Sequence, residues 1–207
     1  TARVEAHPEI EIFKESAITG ASGFVGNYET VISQNGVDRS VRHGAVIVAT
    51  GAEEYTPVEY LYNRDNRVLT HRDLDAALKA EDPRITGAKR AVFIQCVGSR
   101  EPERPYCSKV CCTHTMTSAL ELKALNPEME VYVLYRDIRT YGQREALYRE
   151  ARRQGVVFIR YTLDQKPVVE TDGDAVSVIV RDPILDRQIR IHPDLVILAS
   201  AIVPRDN

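Results

Sequence analysis

Residues 90–125 read RAVFIQCVGSREPERPYCSKVCCTHTMTSALELKAL, and all four cysteines of the chain, Cys96, Cys107, Cys111 and Cys112, fall within them. An apolar run from Ala91 to Ile94 leads to Cys96 and a polar loop follows. The remaining three thiols sit where a helix is expected to begin, spanning about Ser108 to Leu125. A strand, a turn and a helix in that order open a dinucleotide-binding unit, in which a glycine-rich turn rests phosphates on the helix N-terminus. Here only Gly98 remains in the turn, too few glycines for a pyrophosphate cradle, and sulfur stands where the others would be.

Downstream the alternation continues with a strand at Val131 to Tyr135, a helix at Gln143 to Gln154 and a strand at Val156 to Tyr161. Asn126-Pro127 and Gly155 serve as helix stops. Such a βαβαβ series predicts an α/β fold with a Rossmann-like parallel sheet of the doubly wound type. Three short alternating runs follow (Lys166 to Glu170, Val176 to Arg181, Gln188 to His192), which read as an antiparallel β-meander. The apolar run Asp194 to Ser200, DLVILAS, then reads as a fully buried strand.

Upstream, Ile10 to Ser33 reads as another meander, broken by Gly20, Gly23 and Gly26, with a turn at Asn35-Gly36. Gly44 to Gly51, GAVIVATG, then reads as a buried strand. At its end Thr50 offers a hydroxyl and Gly51, lacking a Cβ, lets backbone approach a ligand closely. A core strand that merely ends in a turn fits the same residues. Residues 52–84 are tyrosine-rich and loop-like, with a helix at Asp73 to Lys79 capped by Thr70 or His71. A meander followed by a buried strand thus occurs twice, which implies two related nucleotide-binding halves, the first lacking its opening strand and turn.

The chain has 207 residues, 43% apolar and 28% charged, enough for one large domain or two small ones. A net charge of −3 gives no electrostatic reason to expect nucleic acid or an anionic membrane. The Arg149 to Arg153 patch reads as a solvated helix face. No run approaches the roughly 20 apolar residues of a membrane span, and no secretory signal is recognisable, so a cytoplasmic location is expected. The start TARVEAHPEI reads as part of something longer.

The spacing C-x10-C-x3-C-C supplies four soft ligands, the set that both a [4Fe–4S] cluster and structural zinc require. Zinc ligands usually come as C-x2-C pairs. The adjacent Cys111 and Cys112 point in different directions, which suits the separated corners of a cluster. A disulfide between them would close a strained eight-membered ring, though redox-active or inert thiols stay open as readings. The helix N-terminus would favour an anionic cluster through its dipole. Among the neighbours, His114 reads as a polar-face residue, Arg136 and Asp137 as a structural ion pair, and Tyr106 as a shield. Arg139, Tyr141 and Arg144 read as packing of the loop. The stripe Met116, Leu120 and Ala124 is expected to face the sheet.

The segments CVGSREPERPYCSKVCC, YRDIRTYG and LYREARRQGVVFIRY together resemble the family of heterodisulfide reductase A subunits, and the likeness extends over nearly the whole chain. It implies an iron–sulfur flavoprotein with a thioredoxin-reductase-like pair of dinucleotide folds. Residues 1–84 would be part of a FAD-binding domain, and residues 85–207 an NAD(P)-type domain adapted to carry a cluster. Matched residue by residue, it implies Cys96, Cys107, Cys111 and Cys112 as ligands of a [4Fe–4S] cluster that occupies or blocks the pyridine nucleotide site. It places FAD in the other half, near Thr50 and Gly51. It implies an oxidoreductase relaying electrons between cluster and flavin with other subunits of a heterodisulfide-reductase-like or hydrogenase- or ferredoxin-linked complex, the fragment being inactive alone. A zinc-stabilised interaction domain and an NADPH-dependent disulfide oxidoreductase using Cys111 and Cys112 are the competing readings.

Overall fold

The computed structural model describes residues 2–205, which fall into two units divided between Thr50 and Gly51. The N-terminal unit has one helical turn, α1 (Ala2–Glu5), and an antiparallel sheet of β1 (Ser16–Phe24), β2 (Asn27–Gln34) and β3 (Val37–His43) in the order β1-β2-β3. Asn35 and Gly36, both at positive φ (52° and 78°), form the two-residue turn between β2 and β3. That geometry matches the twist of the strands it joins. The meander begins at Ser16 and not at Ile10, because residues 10–15 have no strand beside them.

Residues 44–50 overturn an expectation. They are irregular and exposed, with Ile47 at 90% and Val48 at 80%. A buried strand needs a neighbour to complete its hydrogen-bond ladder, and no described strand pairs with this segment.

The second unit contains β4 (Glu53–Glu54), β5 (Val68–Thr70), α2 (His71–Lys79), α3 (Pro83–Thr86), β6 (Arg90–Val97), α4 (Cys111–Leu125) and β7 (Glu130–Tyr135). A 3-10 turn at Gly142–Arg144 leads into α5 (Glu145–Arg153). Then come β8 (Val157–Arg160), β9 (Val168–Asp172), β10 (Ala175–Asp182), β11 (Arg187–Ile191), β12 (Leu195–Ser200) and β13 (Ile202–Val203). Five strands pair in parallel in the order β5-β12-β6-β7-β8, and β9 to β11 form the expected antiparallel meander. The fold class is therefore the α/β, Rossmann-like one read from the sequence.

Residues in β6 alternate between two cores. Ala91 and Phe93 face α2, α4 and α5 with Leu74, Met116, Ala119, Leu122 and Ala151. Val92 and Ile94 face the meander with Val176, Val178 and Val180. Being covered on both faces explains why β6 and β12 read as continuous apolar runs. The three-residue strand β5 was hidden in a segment read as loop. Its parallel pairing with β12 makes Val68–Thr70 the edge strand of the large sheet.

Thr70 caps α2 in a capping box, its hydroxyl accepting from the Asp73 N–H while the Asp73 carboxylate accepts from the Thr70 N–H. Gly155 takes φ +81° just past α5, the left-handed position that ends a helix. In α4 the inward residues are Cys112, Thr115, Met116, Ser118, Ala119 and Leu122, whereas Ala124 is exposed and Leu120 half-buried. The expected Met116–Leu120–Ala124 stripe is thus rotated, with Leu122 taking the place given to Leu120. No helix among the described residues is long and apolar enough to cross a membrane.

Candidate functional site

Every strand of a parallel sheet ends on the same edge, so β6, β7 and β12 deliver their last residues side by side. Ligands of open α/β sheets bind outside this edge, where neighbouring strands connect in opposite directions. Here that place lies between β6, whose chain runs on to β7, and β12 on its other flank. Cys96 stands there by way of a β-bulge. Leu198 pairs with Ile94 but Ser200 pairs with Val97, leaving one extra residue on β6. Cys96 itself adopts φ +62°, a left-handed conformation costly for any residue with a Cβ. Bulges bend a strand and re-aim a side chain, and they concentrate next to functional sites.

The other thiols arrive from the loop and from α4. Lys109, at φ +63°, breaks the chain ahead of the helix, so α4 begins at Cys111, three residues later than read from the sequence. Val110 precedes it without a side-chain cap, so no capping side chain serves the first-turn N–H groups of α4. All four cysteines are free thiols. The Cys111 thiol donates to the Ser200 carbonyl at the end of β12 (3.5 Å) and the Cys112 thiol to the Asp137 carbonyl just beyond β7 (3.8 Å). The Lys109 N–H donates to Cys107 Sγ (3.4 Å). Burial pushes the Cys111 thiol up to about 12, and Cys112, Cys96 and Cys107 lie near enough to add to that rise. Burial likewise raises Cys112, against the opposing N–H of Arg139 and with Cys96 and Cys107 adding to it. All four predicted thiols thus lie at this edge of the sheet, within electrostatic reach of Cys111. Among the described residues, no three histidine, cysteine or carboxylate side chains converge closely enough to hold a single metal ion.

Several neighbours were missed or misread in the sequence. Gly98, at φ +69°, faces the ring of Tyr55 so closely that an added Cβ would fall 2.3 Å from it. Arg104 covers the same ring (4.3 Å to its centroid) and donates from Nε to the Gly98 carbonyl (2.5 Å). Arg136 and Asp137 do not pair. Arg136 donates to the carbonyls of Ser99 (2.7 Å) and Arg100 (2.9 Å), and Asp137 pairs with Arg100 (2.6 Å). Arg139, Tyr141 and Arg144 are exposed, as is Tyr106, and Arg139 acts on the Cys112 thiol through its backbone N–H and its charge.

Behind Cys96 the buried Gln95 donates to Thr115 (2.5 Å), whose hydroxyl shares a hydrogen bond with His71 (2.9 Å). The His71 ring lies 4.3 Å from that of His114, which pairs with Asp75 (3.0 Å). Burial, with His114 beside it, lowers the His71 pKa to about 3 and keeps the ring neutral. His114, read as a polar-face residue, therefore ends a row of side chains leading from the surface to Gln95, the residue before Cys96. Thr50 and Gly51 sit in exposed, irregular backbone at the border between the units, and an added Cβ on Gly51 would meet nothing within 4 Å.

A parallel sheet with four free thiols in the turn and helix that follow its central strand defines the class: a Rossmann-like α/β domain with cysteines where a dinucleotide turn would carry glycines. Comparison with known proteins adds what the chain is similar to. The chain is 34% identical over 177 residues to the A subunit of the H2:CoB-CoM heterodisulfide, ferredoxin reductase of Methanothermobacter marburgensis, covering 78% of this chain and 27% of that protein. It is 35% identical over 184 residues to the second iron–sulfur A subunit of the CoB–CoM heterodisulfide reductase of Methanopyrus kandleri, covering 79% of this chain and 27% of that one. The chain is homologous to the A subunits of heterodisulfide reductases and spans about a quarter of the length of these relatives. Among solved structures, T. acidophilum thioredoxin reductase is similar over 92% of this chain and 53% of its own, with a TM-score of 0.48 and 13% identity. No family model matches.

Proposed function

We propose that this segment carries a [4Fe–4S] cluster on Cys96, Cys107, Cys111 and Cys112, within an oxidoreductase component of a cytoplasmic heterodisulfide-reductase-like complex. The observation that carries the reading is the bulge at Cys96, which holds a cysteine in a strained conformation at the sheet edge where the thiols of α4 also arrive. The donor set fits the group. Four free soft ligands lie within electrostatic reach of one another, and Cys111 and Cys112 have raised pKa values, so in that setting their thiolates need a cationic partner.

Bound there, the cluster would supply one-electron transfer. The chain's own groups would orient it: the uncapped first turn of α4 directs N–H groups and the positive end of its dipole toward the ligand sulfurs, and β6, β7 and β12 wall off one side. Tyr55 fills the space beside Gly98 that a dinucleotide turn would leave for a pyrophosphate, which supports a blocked nucleotide site over an NADPH-dependent oxidoreductase. FAD, the electron relay between it and the cluster, and partner subunits belong to the whole protein, near Thr50 and Gly51 where the flavin is concerned. Metal analysis of anaerobically purified protein tests the proposal. Brown protein with about four iron and four sulfide ions bound by this segment is expected. Colourless protein with stoichiometric zinc would overturn it.

A further inference from the structure

Arg100 is tied down at both ends. Its backbone lies in the left-handed region at φ +57°, its N–H donates to the Tyr106 carbonyl (3.0 Å), and its own carbonyl accepts from Arg136 Nη1 (2.9 Å). Its side chain is then divided between two partners. Nη2 donates to Asp137 Oδ2 at 2.6 Å, while Nη1 lies 3.9 Å from Cys96 Sγ. Asp137 in turn accepts the Cys112 thiol through its main-chain carbonyl, so one guanidinium spans the turn that bears Cys96 and the strand end that touches Cys112. The planar fork of an arginine can serve a carboxylate and a sulfur together, and a lysine ammonium serves them less well. The other nearby cations are placed differently. Arg136 spends its terminal nitrogens on the carbonyls of Ser99 and Arg100, and Arg139 is exposed, acting on Cys112 mainly through its backbone N–H.

We propose that Arg100 is the positioning residue that sets the reduction potential of the thiol centre, with Asp137 as the carboxylate that holds and partly offsets its charge. The inference rests on the cluster reading given above. A cluster on four thiolates gains one negative charge when it takes one electron from a reductant. A fixed cation beside a ligand sulfur stabilises that added charge and raises the potential, and a carboxylate beside the cation opposes it. The two side chains therefore act with opposite signs, which a merely structural role for the pair would not produce.

The test is a redox titration of the whole, iron-loaded protein. It follows the electron paramagnetic resonance signal that Cys96→Ala removes and measures iron content in every variant. Arg100→Gln is expected to shift the midpoint to a lower potential, Asp137→Asn to a higher one, and Arg100→Lys to a value nearer the parent than Arg100→Gln, each with its iron retained. If Arg100→Gln and Asp137→Asn move the midpoint in the same direction, or neither moves it, the proposal is overturned. Should Arg100→Gln lose its iron, Asp137→Asn decides: an upward shift supports the proposal and an unchanged or lower midpoint overturns it. A parent protein without iron overturns the cluster reading itself, a failure distinct from any pattern among the variants.

Discussion

At the scale of single residues, the site is held by side chains whose roles come from what they touch. Gly98 has both a left-handed backbone and an aromatic ring where its Cβ would be. Gly98→Ala should cost about 1–3 kcal/mol in urea unfolding, from strain and overpacking together. Tyr55→Ala should relieve part of that cost in a double-mutant cycle, and a change under about 0.5 kcal/mol would show that the ring yields freely. His71 gives a pH prediction. Its pKa falls from 6.5 to about 3 on folding, so between those values the unfolded chain binds the extra proton. The stability that the neutral ring contributes is complete above about pH 6.5 and is lost as pH falls toward 3, by up to about 1.4 kcal/mol per unit. Relative to His71→Leu, the parent protein should therefore lose stability across that window. A constant difference between the two would contradict the buried, neutral ring. The four cysteines could be read directly from their spacing. The bulge that turns Cys96, and Tyr55 arriving from 43 residues before Gly98, could not, because neither leaves a mark in the local pattern.

At the scale of elements, α4 shows why a helix can be seen while its buried face is not. Its inward side includes Thr115 and Ser118, polar residues satisfied by His71 and Gln95 in one case and by the His114 carbonyl in the other. They dilute the apolar period, and Met116, Leu120 and Ala124 then give a misleading stripe. Leu122→Ala should cost about 2–5 kcal/mol, since Leu122 is fully buried in the core beneath β6, and half-buried Leu120→Ala should cost clearly less. Equal losses in thermal or urea unfolding would mean the helix is rotated from its described setting. The cap of α2 was easier to read, because Thr70 and Asp73 occupy adjacent turns of one short segment. The strand β5 was not, since three residues carry no period and only pairing with β12 defines them.

At the scale of the whole molecule, the alternation of strands and helices from Arg90 to Tyr161 was enough to give the parallel sheet, because both faces of each central strand are covered. The same reasoning failed at residues 44–50, which have the composition of a buried strand but no strand partner. Burial is a property of neighbours as much as of sequence. The chain spans about a quarter of the length of these relatives.

The central claim is that the folded sheet edge brings Cys96 to the three thiols of the loop and α4 as a fourth ligand. Iron content and electron paramagnetic resonance of Cys96→Ala, measured anaerobically beside the parent protein with circular dichroism as a check on folding, test it most directly. The expected result is loss of the [4Fe–4S] signal, or its conversion to a three-iron form, in a protein that keeps its secondary structure. An intact four-iron signal in that variant would show that the fourth ligand comes from elsewhere.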